Sequence, residues 1–192
     1  MILPIVAYGS PILRAVCKDI DPDDPKIDTL IANMWETMYQ DGIGVGLAAP
    51  QVGQSIRLFM IDTVIIFEKY GDEYSDFPDA PGYKGVFINA RLLSEKGEPW
   101  IYSEGCLSIP RIHEDVSRLE EIRISFLDEN LQSHEKTFNG FTARVILHEY
   151  DHIEGKLFID RIKPLKRTLL KRKLDDISKG KVNVGYRMSF VK

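Results

Sequence analysis

Apolar positions early in the chain recur at helical spacing. Ile27, Leu30, Ile31, Met34 and Met38 share one side of a 3.6-residue period. Asp23 and Asp24 precede Pro25, a residue suited to a first helical position. The pattern therefore predicts a helix that opens there and ends at Asp41-Gly42. The period then changes. Ile56 to Phe67 is β-branched and apolar and reads as a strand, as do the shorter runs Lys84 to Leu93 and Trp100 to Ile109. Glu121 to Leu127 and Leu131 to Phe138 flank Asp128-Glu129-Asn130, a hairpin-turn sequence. Glu68 to Tyr83, rich in Gly, Pro, Asp and aromatics, is expected as a long surface loop.

Helical periodicity returns from about Phe141 to Glu154, with Gly155 as its stop. Phe141, Val145, His148 and His152 lie on one face at spacings of three and four. Pro164 opens a third, basic helix through Lys171 to Ile177. From Val182 to Val191 the apolar residues alternate, which predicts a strand. Helices and strands do not alternate regularly, so the class expected is α+β rather than a parallel α/β sheet.

The chain has 192 residues, 44% apolar and 28% charged, the balance of a globular protein with room for one domain over 1–192. No apolar run approaches the ~20 residues of a membrane span. Met1 to Val6 carries no basic leader, so no signal peptide is expected. Two cysteines, Cys17 and Cys106, do not make a disulfide framework, and a reducing, cytoplasmic setting follows. The net charge of −4 is uneven: Arg161 to Lys192 carries eleven Lys or Arg against Asp175 and Asp176. That basic end reads either as a solvated helix face or as a dock for an anionic partner such as RNA.

The strongest chemical signal is His148-Glu149-Tyr150-Asp151-His152. Two histidines four apart on a helix lie about 6 Å apart, so both imidazoles reach one metal ion. Glu149, next to the first, is placed to take a proton from a metal-activated water. The bland alternative is a pair of core or surface histidines, and burying two unliganded imidazoles on an apolar face is costly. A third ligand is needed. Downstream of the motif the only nearby carboxylate not adjoining it is Asp160. Upstream, Cys106 sits in Glu104-Gly105-Cys106-Leu107-Ser108, where a thiolate suits a borderline or soft ion and Gly105 permits a bend. By itself Cys106 reads equally well as a small buried hydrophobe. Gly44-Val45-Gly46-Leu47-Ala48-Ala49 fits a dinucleotide fingerprint, but it follows a helix and runs into Pro50, so that reading fails. A glycine-rich backbone beside a metal instead lets an extended peptide approach and pair through main-chain hydrogen bonds.

Taken together, GVGLAAPQ, EGCLS and HEYDH, in that order, resemble the three motifs of peptide deformylase without a departure, over roughly Met1 to Pro164. The fold expected is α+β, mainly antiparallel sheets packed around a central metal-binding helix with an N-terminal helix, and the C-terminal strand read from the alternation differs from the best-known members of the family, which end in a helix. The resemblance implies hydrolysis of the formyl group from the N-terminal methionine of new proteins, releasing formate. The family's metal ligands fall on Cys106, His148 and His152, its catalytic carboxylate on Glu149, and its oxyanion donors on the Gln51 side chain and the Leu107 N–H. The metal implied is Fe2+, with Zn2+, Ni2+ or Co2+ as substitutes. Gly46 is placed against the substrate, and Val45, Tyr102, Glu104, Phe141, Arg144, Val145 and His148 line the methionine pocket. Glu104 also reads as a support for a ligand or for Arg144, whose aliphatic stem would do the packing.

The partners implied are N-formylmethionyl nascent peptides, with a transient ribosome contact through the basic C-terminal region. A monomer is expected, away from membranes. His113 and His134 are expected at the surface and Cys17 in a structural place. Three rival readings stay in view: a metalloendopeptidase with Asp160 as third ligand, a closed structural zinc site, and a cysteine nucleophile with a histidine partner.

Overall fold

The computed structural model describes residues 1–21, 24–40, 44–74, 79 and 81–190. Near the start, β1 (Ile5–Val6) leads into a 3-10 turn over Pro11–Arg14. Helix α1 (Ile27–Tyr39) begins two residues beyond Pro25. The reason is a turn held by Asp24: its carboxylate accepts the Lys26 N–H at 3.0 Å and its carbonyl the Ile27 N–H at 3.2 Å. Asp23 and the expected stop at Asp41-Gly42 lie outside the described residues. The buried face of α1, Ile27, Ile31, Met34 and Met38, packs with Leu47, Leu58, Met60 and Ile88.

Five antiparallel strands form the main sheet in the order β2 (Gly46–Ala48), β3 (Leu58–Asp62), β4 (Lys84–Cys106), β5 (Ile109–Leu127) and β6 (Ser133–Asn139). The apolar run expected as one strand from Ile56 to Phe67 divides at Thr63. There the Thr63 N–H leaves the β3 ladder for the Tyr83 carbonyl at 3.0 Å, and the Thr63 carbonyl accepts the Ile66 and Phe67 N–H groups. Val64–Tyr74 is therefore helix α2, kinked at Tyr70 and pinned by buried Phe67. The segment Glu68 to Tyr83 is thus helical as far as Tyr74, and its residues 75–78 and 80 lie outside the described set.

The runs Lys84 to Leu93 and Trp100 to Ile109 join into the single 23-residue strand β4, whose partner β5 starts at Ile109 rather than Glu121. The Gly-Pro region between the two runs falls where the pairing register shifts, between Lys96 and Pro99, and Gly97 there has φ +85°. A bulge absorbs residues that read as a break. The β5–β6 hairpin turns through Leu131, at φ +60°, which moves the start of β6 from Leu131 to Ser133. Helix α3 (Gly140–Ile153) follows directly, ended by Gly155 at φ +69°.

Helix α3 carries the site and is nearly enclosed. Gly140 to Leu147, Glu149 and Asp151 to Ile153 are all buried. Phe141, Val145 and Ile146 join Phe59, Phe87, Ile122, Ile124 and Phe126 of the sheet in one apolar cluster. After a 3-10 turn at Phe158–Asp160 comes α4 (Pro164–Ser178), which buries Leu170, Leu174 and Ile177. The terminal strand is shorter than its alternation predicts. β7 is Met188–Ser189, parallel to β1, with Ile5 opposite Met188 and Val6 opposite Ser189. The alternation persists in burial all the same: Val182, Val184, Tyr186 and Met188 are half-buried and the residues between them exposed. Val191 lies outside the described residues. No described helix is long and apolar enough to cross a membrane.

Candidate metal centre

Two elements deliver the donor atoms. Helix α3 presents His148 and His152 one turn apart, their ring centroids 5.2 Å from each other. The end of β4 delivers Cys106, where Gly105 pairs with His113 and Cys106 with Ile109 across a register shift. That shift turns the strand at the cysteine. A Cβ at Gly105 would stand 2.6 Å from the ring of the exposed His113, which would have to swing aside to admit it. One ligand atom from each of Cys106, His148 and His152 lies within 4.8 Å of the others. Cys106 Sγ is 3.3 Å from His152 Nε2. Ligand atoms on a tetrahedral ion at about 2.0–2.3 Å stand roughly 3.3–3.8 Å apart, so the spacing and the S, N, N donor set suit a divalent ion.

A buried polar frame fixes His148. Its Nδ1 meets Glu104 Oε2 at 2.9 Å, which leaves Nε2 for a metal. Glu104 is held in turn by Arg118, at 2.7 and 2.9 Å, and by Arg144 at 2.8 Å. Arg118 reaches on to Asp151 at 2.8 Å, and Arg161 closes on the same carboxylate at 2.6 Å. Arg144 donates to the Trp100 and Val116 carbonyls and stacks its guanidinium 4.1 Å from the Trp100 ring. Its head group is thus engaged inside the protein, beyond the stem packing expected of it.

The charges follow from this packing. Burial pushes the Glu104 carboxyl up, but the hydrogen bonds from Arg118 and His148 outweigh it and hold it well below the usual range. Burial likewise pushes the Cys106 thiol up, yet His152 and His148 bring it down to about 5, a thiolate at neutral pH. Burial raises Glu149 to about 7 against the pull of His148 and His152. One Glu149 oxygen presses on Gly46, and the other is buried with no hydrogen-bond partner among the described residues. Such a carboxylate is poised to trade a proton rather than to brace the fold.

Gln51 lies in the 3-10 turn Ala49–Val52, where its Oε1 accepts the Ala48 N–H at 2.8 Å. That bond aims its Nε2 at Cys106 Sγ, 3.4 Å away. A cleft of about 730 Å3 opens over these groups. Its wall contains Val45, Gly46, Gln51, Tyr102, Glu104, Leu107, Phe141, Arg144, Val145, His148 and Glu149, so the structure gathers every pocket position anticipated above. Asp160 is elsewhere, paired with Arg14 and Arg167 and accepting the Leu157 N–H. His134 is half-buried and bonds Asp128, and Cys17 is buried. His113 lies along the rim of the cleft.

Sequence reasoning missed two groups. Arg118 is 4% exposed, and its signal was parity: it falls on the inward face of β5 shared by Val116, Ile122 and Ile124. The segment Asn183 to Tyr186 also lines the cleft, a fact that only the return of the chain to β1 reveals.

A thiolate and two imidazoles beside a buried acid define a metal-hydrolase type of site. The polypeptide deformylase family model matches residues 2–168. The chain is 52% identical over 190 residues to the peptide deformylase of Christiangramia forsetii, covering 99% of this chain and 96% of that one. It is 50% identical over 199 residues to that of Flavobacterium psychrophilum, covering 100% and 98%. Among solved structures, the Legionella pneumophila peptide deformylase superposes with a TM-score of 0.78 at 36% identity, over 94% of this chain and 98% of the other. The chain belongs to the polypeptide deformylase family. Its activity is hydrolysis of the N-formyl group from formylmethionyl peptides, and the Cys106, His148 and His152 group is able to hold the metal which that family's chemistry requires.

Proposed function

We propose that Cys106, His148 and His152 hold one divalent ion, Fe2+ in the native protein, and that Glu149 moves the protons of the deformylation. The observation that carries this is the buried Glu149 carboxylate, raised to about 7 and pressed on Gly46 beside the three donors. The ion, when bound, acts as a Lewis acid that brings the pKa of water down toward neutrality. Glu149 takes the proton of the attacking water and delivers it to the amine nitrogen that leaves. Gln51 Nε2 and the Leu107 N–H donate to the formyl oxygen as it gains charge, each contributing about 3 kcal/mol to the barrier reduction. Val45, Phe141 and Val145 form the apolar wall for the methionine side chain, with Tyr102 edge-on to Phe141 at 5.6 Å. Gly46 leaves room for the peptide main chain. Glu104 and Arg144 line the same pocket, and Glu104 also holds His148 Nδ1 while Arg144 braces Glu104.

Zn2+, Ni2+ and Co2+ suit the same donors as substitutes. We read residues 1–192 as one catalytic domain, because the parallel pairing of Ile5 with Met188 ties distant segments together. A free thiolate ligand suits a reducing cytoplasm, and the chain is read as a monomer. A transient ribosome contact falls to the basic side of α4. Lys166 and Arg167 of α4, and Lys179 just past its end, pair with Glu114, Asp160 and Asp175, so the contact with RNA phosphates falls to other basic residues of this stretch such as Lys171, Arg172 and Lys173. The direct test is formate release from a formylmethionyl peptide by anaerobically prepared protein, with and without chelator, beside a Glu149→Ala variant of checked metal content. Release that needs both the metal and Glu149 is expected. Undiminished release by the metal-loaded variant would overturn the role given to Glu149.

A further inference from the structure

The turn Leu107-Ser108, which joins β4 to β5 directly after Cys106, is gripped from one side. The Tyr186 hydroxyl donates to the Leu107 carbonyl at 2.8 Å. The Tyr8 N–H donates to the next carbonyl, Ser108, also at 2.8 Å. Both donors belong to one small structure. Tyr8 follows β1, and Tyr186 leads into β7, its parallel partner. Backbone bonds lock the two, from Ile5 N–H to the Arg187 carbonyl at 2.8 Å and from Ala7 N–H to the Ser189 carbonyl at 2.9 Å. The Tyr186 ring packs beside the cluster of α1 and β3, and the residue also lines the cleft.

We propose that the β1–β7 pair is a clamp on this turn, and that Tyr186 is a positioning residue for the Leu107 N–H in the deformylation. The Leu107 carbonyl lies in the peptide plane after its Cα and the N–H in the plane before it, so the two held carbonyls, together with Cys106 paired to Ile109 at the end of β4, limit the φ and ψ open to residue 107 and thereby restrain its N–H. A donor useful to a developing oxyanion must be aimed before the charge appears. The inference rests on the role given above to the Leu107 N–H. It adds that the aim is set from residues 182–189, a part of the chain beyond the three motifs.

Tyr186→Phe keeps the ring and removes the single hydroxyl. We expect kcat to fall about tenfold with KM, metal content and melting temperature nearly unchanged, since ground-state contacts and packing survive. The structural readout is the Leu107 amide resonance of zinc-loaded protein labelled with 15N-leucine, which is expected to shift on the substitution. An unmoved resonance with unchanged kcat overturns the clamp. A shifted resonance with unchanged kcat keeps the contact but removes the Leu107 N–H from catalysis, and so overturns the reading beneath it. A fall in melting temperature that accounts for the lost activity reduces Tyr186 to a packing residue and overturns its positioning role.

Discussion

Gly46 and Glu149 are in contact so close that a Cβ on Gly46 would stand 2.5 Å from Glu149 Oε1 and 2.8 Å from its Cγ. No side chain other than hydrogen fits there without moving the carboxylate. Gly46→Ala is therefore expected to lower kcat more than tenfold while the metal stays bound, because Glu149 is not among the three donors. Metal analysis and steady-state kinetics on the same sample check this. Wild-type turnover in the variant would show that Glu149 need not sit where the fold holds it.

Arg118 is the sole cation that touches both Glu104 and Asp151 among the described residues. Removing one partner of a buried ion network leaves the others without compensation, at a cost of about 3–5 kcal/mol. Arg118→Met is expected to lose stability of that size in urea unfolding. It should also weaken metal binding, because Glu104 then holds His148 less firmly. A loss under about 1 kcal/mol would mean that Arg144 and Arg161 suffice.

Acid sensitivity has a definite sign. Burial raises both Glu104 and Asp151, but arginine contacts, with His148 at Glu104, win and leave both folded-state values below the ordinary 4.5 and 3.8. Groups depressed in this way stabilise the fold fully above their unfolded values. That stability drains as the pH falls through those values toward the folded ones. Unfolding free energy of the metal-free protein should thus decline steeply below about pH 4.5. A flat profile between pH 5 and 3 would contradict the assignment.

The two thiols should differ sharply toward an alkylating agent. Cys106, with its thiol near 5, faces the cleft, whereas burial raises the Cys17 thiol. In metal-free protein at pH 6.5, iodoacetamide is expected to label Cys106 and spare Cys17, and an added divalent ion should protect the former. Peptide mapping by mass spectrometry reads the outcome. Equal labelling of both would remove the electrostatic argument for a thiolate.

The chemistry was more legible in the sequence than the architecture around it. HEYDH needs only helical spacing to bring two imidazoles together, so local periodicity carried the reading of His148 and His152. Cys106 was reached through donor chemistry and motif order, and Asp160 competed for its place until the fold put it beside Arg14 and Arg167. Thr63 shows why strand limits failed: Val64-Ile65-Ile66-Phe67 has the composition of a strand, and only tertiary hydrogen bonds to Tyr83 turn it into a helix. Gly97 and Pro99 misled in the opposite sense, because a bulged ribbon tolerates residues that end an isolated strand. Tyr186 was out of reach, since its contact with Leu107 spans 79 positions.

The near-complete enclosure of α3 has a consequence for how the protein survives handling. The scaffold around His148 and His152 is assembled from phenylalanine, isoleucine and arginine contacts that owe nothing to an ion. Unlike small domains whose folding is driven by their metal, this chain is expected to stay folded when a chelator takes its ion, with a urea-unfolding midpoint that moves little on metal removal.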